Sequence, residues 1–166
     1  MKNFIVIFFV TGIAALSLSF KVFDKRHVSK NMLHFIESKK YTYSEWKKDI
    51  PESVMKGIKK FEKGQFNPGD LGDSGKIAMG CVVDPDAKFD GKLNFVMTND
   101  SLCLLSYTHG GFIVSNTVYF IRYKPVFTLA KFQNLQHWPD TDVESVTQAL
   151  KKHPKADDIW TCKEKN

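Results

Sequence analysis

The fold is decided by residues 91–123, GKLNFVMTNDSLCLLSYTHGGFIVSNTVYFIRY, in which apolar runs alternate with short turn sequences. The apolar runs are rich in Val, Ile, Leu, Phe and Tyr, as β-strands are, and they cover 92–98, 102–108 and 112–123. The turns between them are Asn99-Asp100 and His109-Gly110-Gly111. Because turns this short join only antiparallel neighbours, the stretch predicts an antiparallel meander.

The predicted sheet extends upstream to about four strands. Residues 76–83 form a further apolar run, joined to the meander by the polar loop 84–91, DPDAKFDG. Leu93, Phe95 and Met97 recur at every second position, which predicts that they share one face of the sheet. We expect the helices to cover that face.

Helical patterns precede the strands. Ser29 predicts the start of a short helix that carries apolar residues over 32–36. Thr42 and Glu45 form a capping box, and apolar residues then recur every three or four positions over 46–61. This pattern predicts helical structure from the capping box onward, in which Pro51 either kinks the helix or begins a second helical segment.

The C-terminal part adds an edge strand at 126–129 and a last helix. Thr141 and Glu144 form another capping box, ahead of inward-facing apolar residues at 143, 146 and 150. The whole pattern predicts one α+β domain over 20–166, with helices packed on one face of an antiparallel sheet of about four strands and a C-terminal helix.

Residues 1–19 are predicted to be a signal peptide or a membrane anchor. After Met1-Lys2-Asn3 come seventeen residues without a charge, FIVIFFVTGIAALSLSF at 4–20. A basic start followed by an apolar run is typical of membrane-targeting segments. Cleavage after Ser19 would export the domain to the periplasm or the extracellular space. An uncleaved segment would make the membrane a partner and anchor the domain on either side of it.

The net charge of +6 is unevenly distributed along the chain. Residues 20–63 hold 12 basic and 6 acidic side chains, whereas residues 64–166 hold 11 and 12. The basic part therefore lies next to the membrane segment, where anionic headgroups would attract it. We expect no nucleic-acid partner, because the chain has only two arginines, Arg26 and Arg122, to read bases.

The cysteines limit the class of protein. Three cysteines exclude a disulfide-dense scaffold and a four-cysteine zinc site. For an exported domain we expect one disulfide. The first expectation pairs Cys81 with Cys103, each in a predicted strand, and Cys162 is the alternative partner of either.

Two groups of residues are candidate sites. Asp84, Asp86 and Asp90 offer oxygen ligands for calcium, but Lys88 stands where an EF-hand loop needs its third side-chain ligand. His109 lies at a predicted hairpin tip, where a histidine can act as a ligand or as a general base. No HxH, HExxH or CxxC spacing is present, so we expect no metal or other cofactor.

Without a catalytic constellation, the sequence favours a non-enzymatic binding or interaction module, secreted or in the cell envelope. Its partner would be a protein, a peptide or a small ligand that uses the sheet. The alternative is a small hydrolase or transferase in which His109 works with carboxylates of the 84–90 loop.

Overall fold

The computed structural model of the chain describes residues 27–70, 88–109, 115–134, 142–152 and 154–161. Within these ranges the chain forms a mostly antiparallel sheet of seven strands and three short α-helices. The helices are α1 (Val28–Ser38), α2 (Glu52–Phe61) and α3 (Val143–Lys152). The strands are β1 (Thr42–Ser44), β2 (Pro68–Gly69), β3 (Gly91–Thr98), β4 (Leu102–His109), β5 (Ser115–Arg122), β6 (Thr128–Asn134) and β7 (Asp158–Thr161).

The strands lie in the order β1-β3-β4-β5-β6-β7, and all of these neighbours are antiparallel. β2 pairs in parallel with the start of β3 and shares that edge of the sheet with β1. The prediction of about four strands is therefore wrong. It misses β1, β2 and β7, because strands of two to four residues carry too little periodicity to be read from sequence. The predicted strand at 76–83 lies outside the described residues.

Helices cover both faces of the sheet, so the prediction of a single covered face is also wrong. Successive residues of a strand point to opposite faces, and the strands here are apolar on both. α1 and α3 pack on one face against a cluster that includes Phe95, Leu104 and Phe120. α2 packs on the other face, with Val54 and Ile58 against a cluster that includes Leu105 and Ile121. The result is a sheet enclosed between two helical layers.

A β-bulge in β3 explains why the predicted alternation fails. The pairing of β3 with β4 shifts between Leu93 and Phe95. Leu93 consequently joins the core beneath α2, whereas Phe95 and Met97 join the core beneath α1 and α3. At the bulge the buried side chain of Asn94 donates to Ser106 Oγ at 3.1 Å, so the extra residue brings a polar group into the sheet with a partner.

All three helix starts also differ from the prediction, beginning with α1, which starts at Val28 and has the predicted cap Ser29 inside the helix. Thr42 begins strand β1 opposite Thr98 instead of capping a helix, so the start at the capping box is wrong. α2 begins directly after Pro51, within one residue of the alternative start at that proline. Pro51 fixes its own φ at −54°, which suits the residue before a helix. At α3 the side chain of Asp142 accepts a hydrogen bond from the backbone N–H of Ser145 at 2.9 Å and so caps the helix. The predicted cap Thr141 lies outside the described residues.

The predicted edge strand at 126–129 is shifted and is not at the edge. The strand there is β6, which begins at Thr128, and β7 pairs with its outer side. Trp160 of β7 lies opposite Leu129, and its ring packs edge-on against Phe127 at 5.8 Å between centroids. The C-terminal strand thus covers a part of the sheet that the sequence pattern leaves open.

The expected transmembrane helix is not among the described elements. None of the three helices is long and apolar enough to cross a bilayer. The predicted membrane-targeting segment, residues 1–19, lies outside the described residues.

Candidate polar pocket on the α2 face

A pocket of about 120 Å³ opens on the sheet face that α2 covers, beyond the C-terminal end of that helix. We call it the polar pocket, because every side chain that lines it carries a hydrogen-bonding group. The lining residues are Glu62, Gln65, Tyr107, His109, Thr117, Tyr119, Lys131 and Gln133.

The pocket forms where the helix ends and the strands continue. α2 ends at Phe61, and Gly64 turns the chain with φ +92°, a conformation that glycine adopts without strain. On the part of the sheet that α2 leaves uncovered, β4, β5 and β6 carry side chains with polar groups. Beneath α2, the same strands carry apolar side chains on the same face. Phe66 packs against the two tyrosines of the pocket, with its ring edge-on to Tyr107 at 5.1 Å and to Tyr119 at 5.9 Å between centroids.

One side of the pocket is an ion pair joined to a buried tyrosine. Oε1 of Glu62 accepts a hydrogen bond from the Tyr119 hydroxyl at 2.8 Å and another from Lys131 Nζ at 2.9 Å. The side chains of Lys131 and Glu62 are 16% and 20% exposed, so both are largely removed from water. Burial, and then the negative charge of Glu62, raise the pKa of Tyr119 well above its usual range. The hydroxyl therefore stays a neutral donor to the carboxylate.

The other side of the pocket joins an aspartate, a tyrosine and a histidine. The Tyr107 hydroxyl donates to Asp90 Oδ1 at 2.6 Å and lies 3.4 Å from His109 Nδ1. The backbone N–H of Asn67 donates to the same Asp90 oxygen at 2.8 Å. Burial, and then the hydrogen bond to Asp90, raise the pKa of Tyr107 well above its usual range, so Tyr107 also keeps its proton.

A glycine makes the contact between Tyr107 and Asp90 possible. A Cβ atom on Gly91 would lie 2.5 Å from the Tyr107 hydroxyl and 2.3 Å from the backbone oxygen of Thr108. Both distances are far below van der Waals contact, and the Thr108 oxygen is fixed in the β3–β4 ladder. Only glycine at this position lets the Tyr107 hydroxyl cross the start of β3 to the preceding aspartate.

The structure places two of the predicted site residues near each other. His109 lines the pocket, and Asp90 reaches it through Tyr107, so the 84–90 loop does contribute a carboxylate to the surroundings of His109. Asp84 and Asp86 lie outside the described residues. In the ranges that the structure covers, no group of three His, Cys, Asp or Glu side chains is arranged to hold a metal ion. The roles proposed for His109 and for the three aspartates stay predictions.

Sequence reasoning missed the residues that build most of the pocket. Glu62, Tyr107, Tyr119 and Lys131 read as ordinary helix-end or strand residues. One signal was available: Glu62 follows the last turn of α2, where the helix dipole disfavours an acid unless a partner compensates it. The compensating Lys131 is 69 residues away in the chain, and nothing in the sequence pattern marks it.

The predicted disulfide is wrong. Cys103 is a free thiol, fully buried in the core beneath α2 together with residues such as Leu105 and Ile121. Burial raises the pKa of this thiol, so it behaves as a small apolar side chain. The other two cysteines, Cys81 and Cys162, lie outside the described residues.

Known proteins supply no assignment for the pocket. No protein-family model, no curated protein and no solved structure matches the chain.

Proposed function

We propose that the chain is a binding domain whose polar pocket takes up a small polar molecule. The observation that carries this proposal is the pocket itself: about 120 Å³ of open space in which all eight lining residues can form hydrogen bonds. Small-molecule sites are concave and hold a few placed polar groups that fix the ligand's orientation. This one has rigid support, because its tyrosines are 2% exposed and packed on Phe66.

The volume limits the size of the ligand. A cavity of about 150 Å³ holds benzene, a molecule of about six non-hydrogen atoms. The polar pocket, at about 120 Å³ and open to solvent, suits a molecule of similar size or one end of a longer molecule. A protein or peptide partner is less well supported, because the groups that fit the pocket are small.

The charges indicate a ligand without a large net charge. Lys131 and Glu62 lie 2.9 Å apart and largely neutralise each other. A strongly charged ligand would have to disrupt this pair, and breaking a largely buried pair is costly. Amides, lactams and polyols of the stated size combine donors and acceptors without net charge.

A screen of small polar fragments by ligand-observed NMR tests the proposal. The blocking variant is Gln65→Trp, because Gln65 is exposed at the mouth of the pocket and an indole there would fill the entrance. The matched control is Lys59→Trp, an equally exposed position on α2 outside the pocket. We expect fragments that bind the wild type and Lys59→Trp to lose binding to Gln65→Trp. Equal binding to all three proteins, or no saturable binding to the wild type, would contradict the proposal.

An acid–base enzyme is the second candidate, and one observation favours it. His109 is in contact with a tyrosine that is itself fixed by a carboxylate, and catalytic bases are often oriented by such a third group. A fragment bound by the wild type should then be converted by it and not by His109→Gln. Unchanged proton NMR signals of the bound molecule after long incubation with the wild type would support binding alone.

The location of the domain stays a prediction from residues 1–19. Export, or anchorage by a single membrane segment, would place the pocket where it meets small molecules of the envelope or the surroundings. The pocket itself does not depend on either location.

A further inference from the structure

The hydrogen bonds around Tyr107 determine where the proton of His109 lies. The Tyr107 hydroxyl has one proton and two neighbours, Asp90 Oδ1 at 2.6 Å and His109 Nδ1 at 3.4 Å. The shorter contact is to a carboxylate, which accepts hydrogen bonds and has none to donate when ionised. The proton of Tyr107 therefore points to Asp90, and the Tyr107 oxygen is left with lone pairs toward His109.

The contact between His109 and Tyr107 then needs its proton from the histidine. In a neutral imidazole one ring nitrogen carries a proton and the other a lone pair. The hydrogen-bond partner of one nitrogen determines which of the two is protonated. Because Tyr107 offers only lone pairs, this contact is a hydrogen bond only when Nδ1 of His109 carries the proton. Its Nε2 then has a lone pair, and no side chain or backbone group in the described ranges hydrogen-bonds to that nitrogen.

We propose that Asp90 and Tyr107 are positioning residues that hold His109 in its Nδ1–H form, so that Nε2 receives an N–H or O–H group of the ligand. This rests on the proposed function, because it names the chemistry of a ligand of the polar pocket. The chain of contacts runs from Asp90 through the Tyr107 hydroxyl to Nδ1, and it ends at a histidine that lines the pocket.

The acid on the opposite wall of the pocket favours the same kind of ligand. Glu62 uses Oε1 for Tyr119 and Lys131, and in the described part of the chain its Oε2 has no hydrogen-bond partner. A carboxylate oxygen and the Nε2 lone pair both require donors. The ligand class is therefore a small neutral molecule with at least one N–H or O–H, such as a primary or secondary amide.

The protonation form of His109 can be measured without any ligand. Nitrogen-15 NMR separates a protonated imidazole nitrogen from one with a lone pair, and His109→Gln identifies the signals of His109 among the five histidines. In the wild type, at a pH where His109 is neutral, we expect Nδ1 to be the protonated nitrogen. Nε2 as the protonated nitrogen would overturn the proposal, and this result needs no variant to fold.

Two variants test whether Tyr107 is responsible. Tyr107→Phe removes the oxygen that faces Nδ1, so the preference for Nδ1–H should be lost. Tyr119→Phe removes the corresponding hydroxyl on the next strand, which bonds Glu62 and not His109, so the preference should persist. An unchanged His109 signal in folded Tyr107→Phe would overturn the positioning role.

A matched pair of probes tests the ligand class. 2-Pyrrolidinone has one N–H, and N-methyl-2-pyrrolidinone replaces that donor by a methyl group. Titrated into the full chain, the N–H compound should bind at least about tenfold more tightly, since the methylated one leaves Nε2 without a partner. Equal binding would overturn the ligand class. Failure of both compounds would overturn the ligand class, whereas the fragment screen decides the pocket's proposed function and the nitrogen-15 spectrum decides the form of His109.

Discussion

At the scale of single residues, the pocket depends on hydroxyl groups that connect distant parts of the chain. The Tyr119 hydroxyl joins β5 to Glu62 at the end of α2, across 57 residues of sequence. Tyr119 itself is almost fully buried. A hydrogen bond in such surroundings matters for stability mainly because its loss leaves a desolvated acceptor behind.

Tyr119→Phe should lower the free energy of unfolding by about 1–2 kcal/mol, because a hydrogen bond to the largely buried Glu62 carboxylate is lost. The control is Tyr43→Phe, since Tyr43 donates to Glu45 at 3.0 Å on the exposed surface and water can replace it. Its effect should be below about 0.5 kcal/mol. Urea unfolding of both variants measures the difference. Equal losses of unfolding free energy in the two variants would contradict the larger stabilisation expected from the buried hydrogen bond to Glu62.

Gly91→Ala should destabilise the protein by about 1–3 kcal/mol, because the added methyl group meets the backbone oxygen of Thr108 and the Tyr107 hydroxyl. It should also separate Tyr107 from Asp90 and so alter the His109 nitrogen-15 signals. Lys92→Ala, one residue further along the same strand, is the control and should leave those signals unchanged. A Gly91→Ala variant as stable as the wild type would contradict the steric role of Gly91.

At the scale of secondary structure, local patterns predict the long strands and fail at their irregularities. Strands β3 and β4 follow from their apolar runs within one or two residues of their observed limits. The bulge between Leu93 and Phe95 is not predicted by the local pattern, because it is set by pairing with β4. It places the residues of β3 before the bulge on the sheet face opposite to the one that strict alternation predicts. β7 was missed because a four-residue strand is too short to show its period.

Asp142→Ala tests the start of α3, and it should cost about 1 kcal/mol at neutral pH, because Asp142 caps the helix. The backbone N–H of Ser145 lowers the pKa of Asp142 below its ordinary value of 3.8. A lowered native pKa means that the stabilisation is present above the unfolded pKa and is lost as the pH falls through the native one. The cost of the substitution should therefore disappear in acid. Urea unfolding at neutral pH and in acid measures the cost of Asp142→Ala. Lys151→Ala, in the same helix, is the control and should change the free energy of unfolding little at either pH. A cost of Asp142→Ala that persists in acid would show that the charge of Asp142 does not contribute to the cap.

At the scale of the whole molecule, the pocket is the product of the topology. Its walls come from the turn after α2 and from β4, β5 and β6, which meet only because the sheet is antiparallel and α2 is too short to cover it. The sequence singles out His109 and Asp90 by residue type. It does not predict Glu62, Tyr119 or Lys131, because their roles arise from contacts between residues more than fifty positions apart.

The most direct test of the central claim is a map of amide chemical shifts during titration with the fragments that bind. The claim that the polar pocket is the binding site predicts that the largest shifts fall at the pocket positions of β4, β5 and β6, at 107, 109, 117, 119, 131 and 133. Saturable shifts centred on α1 and α3, which cover the opposite face of the sheet, would contradict it.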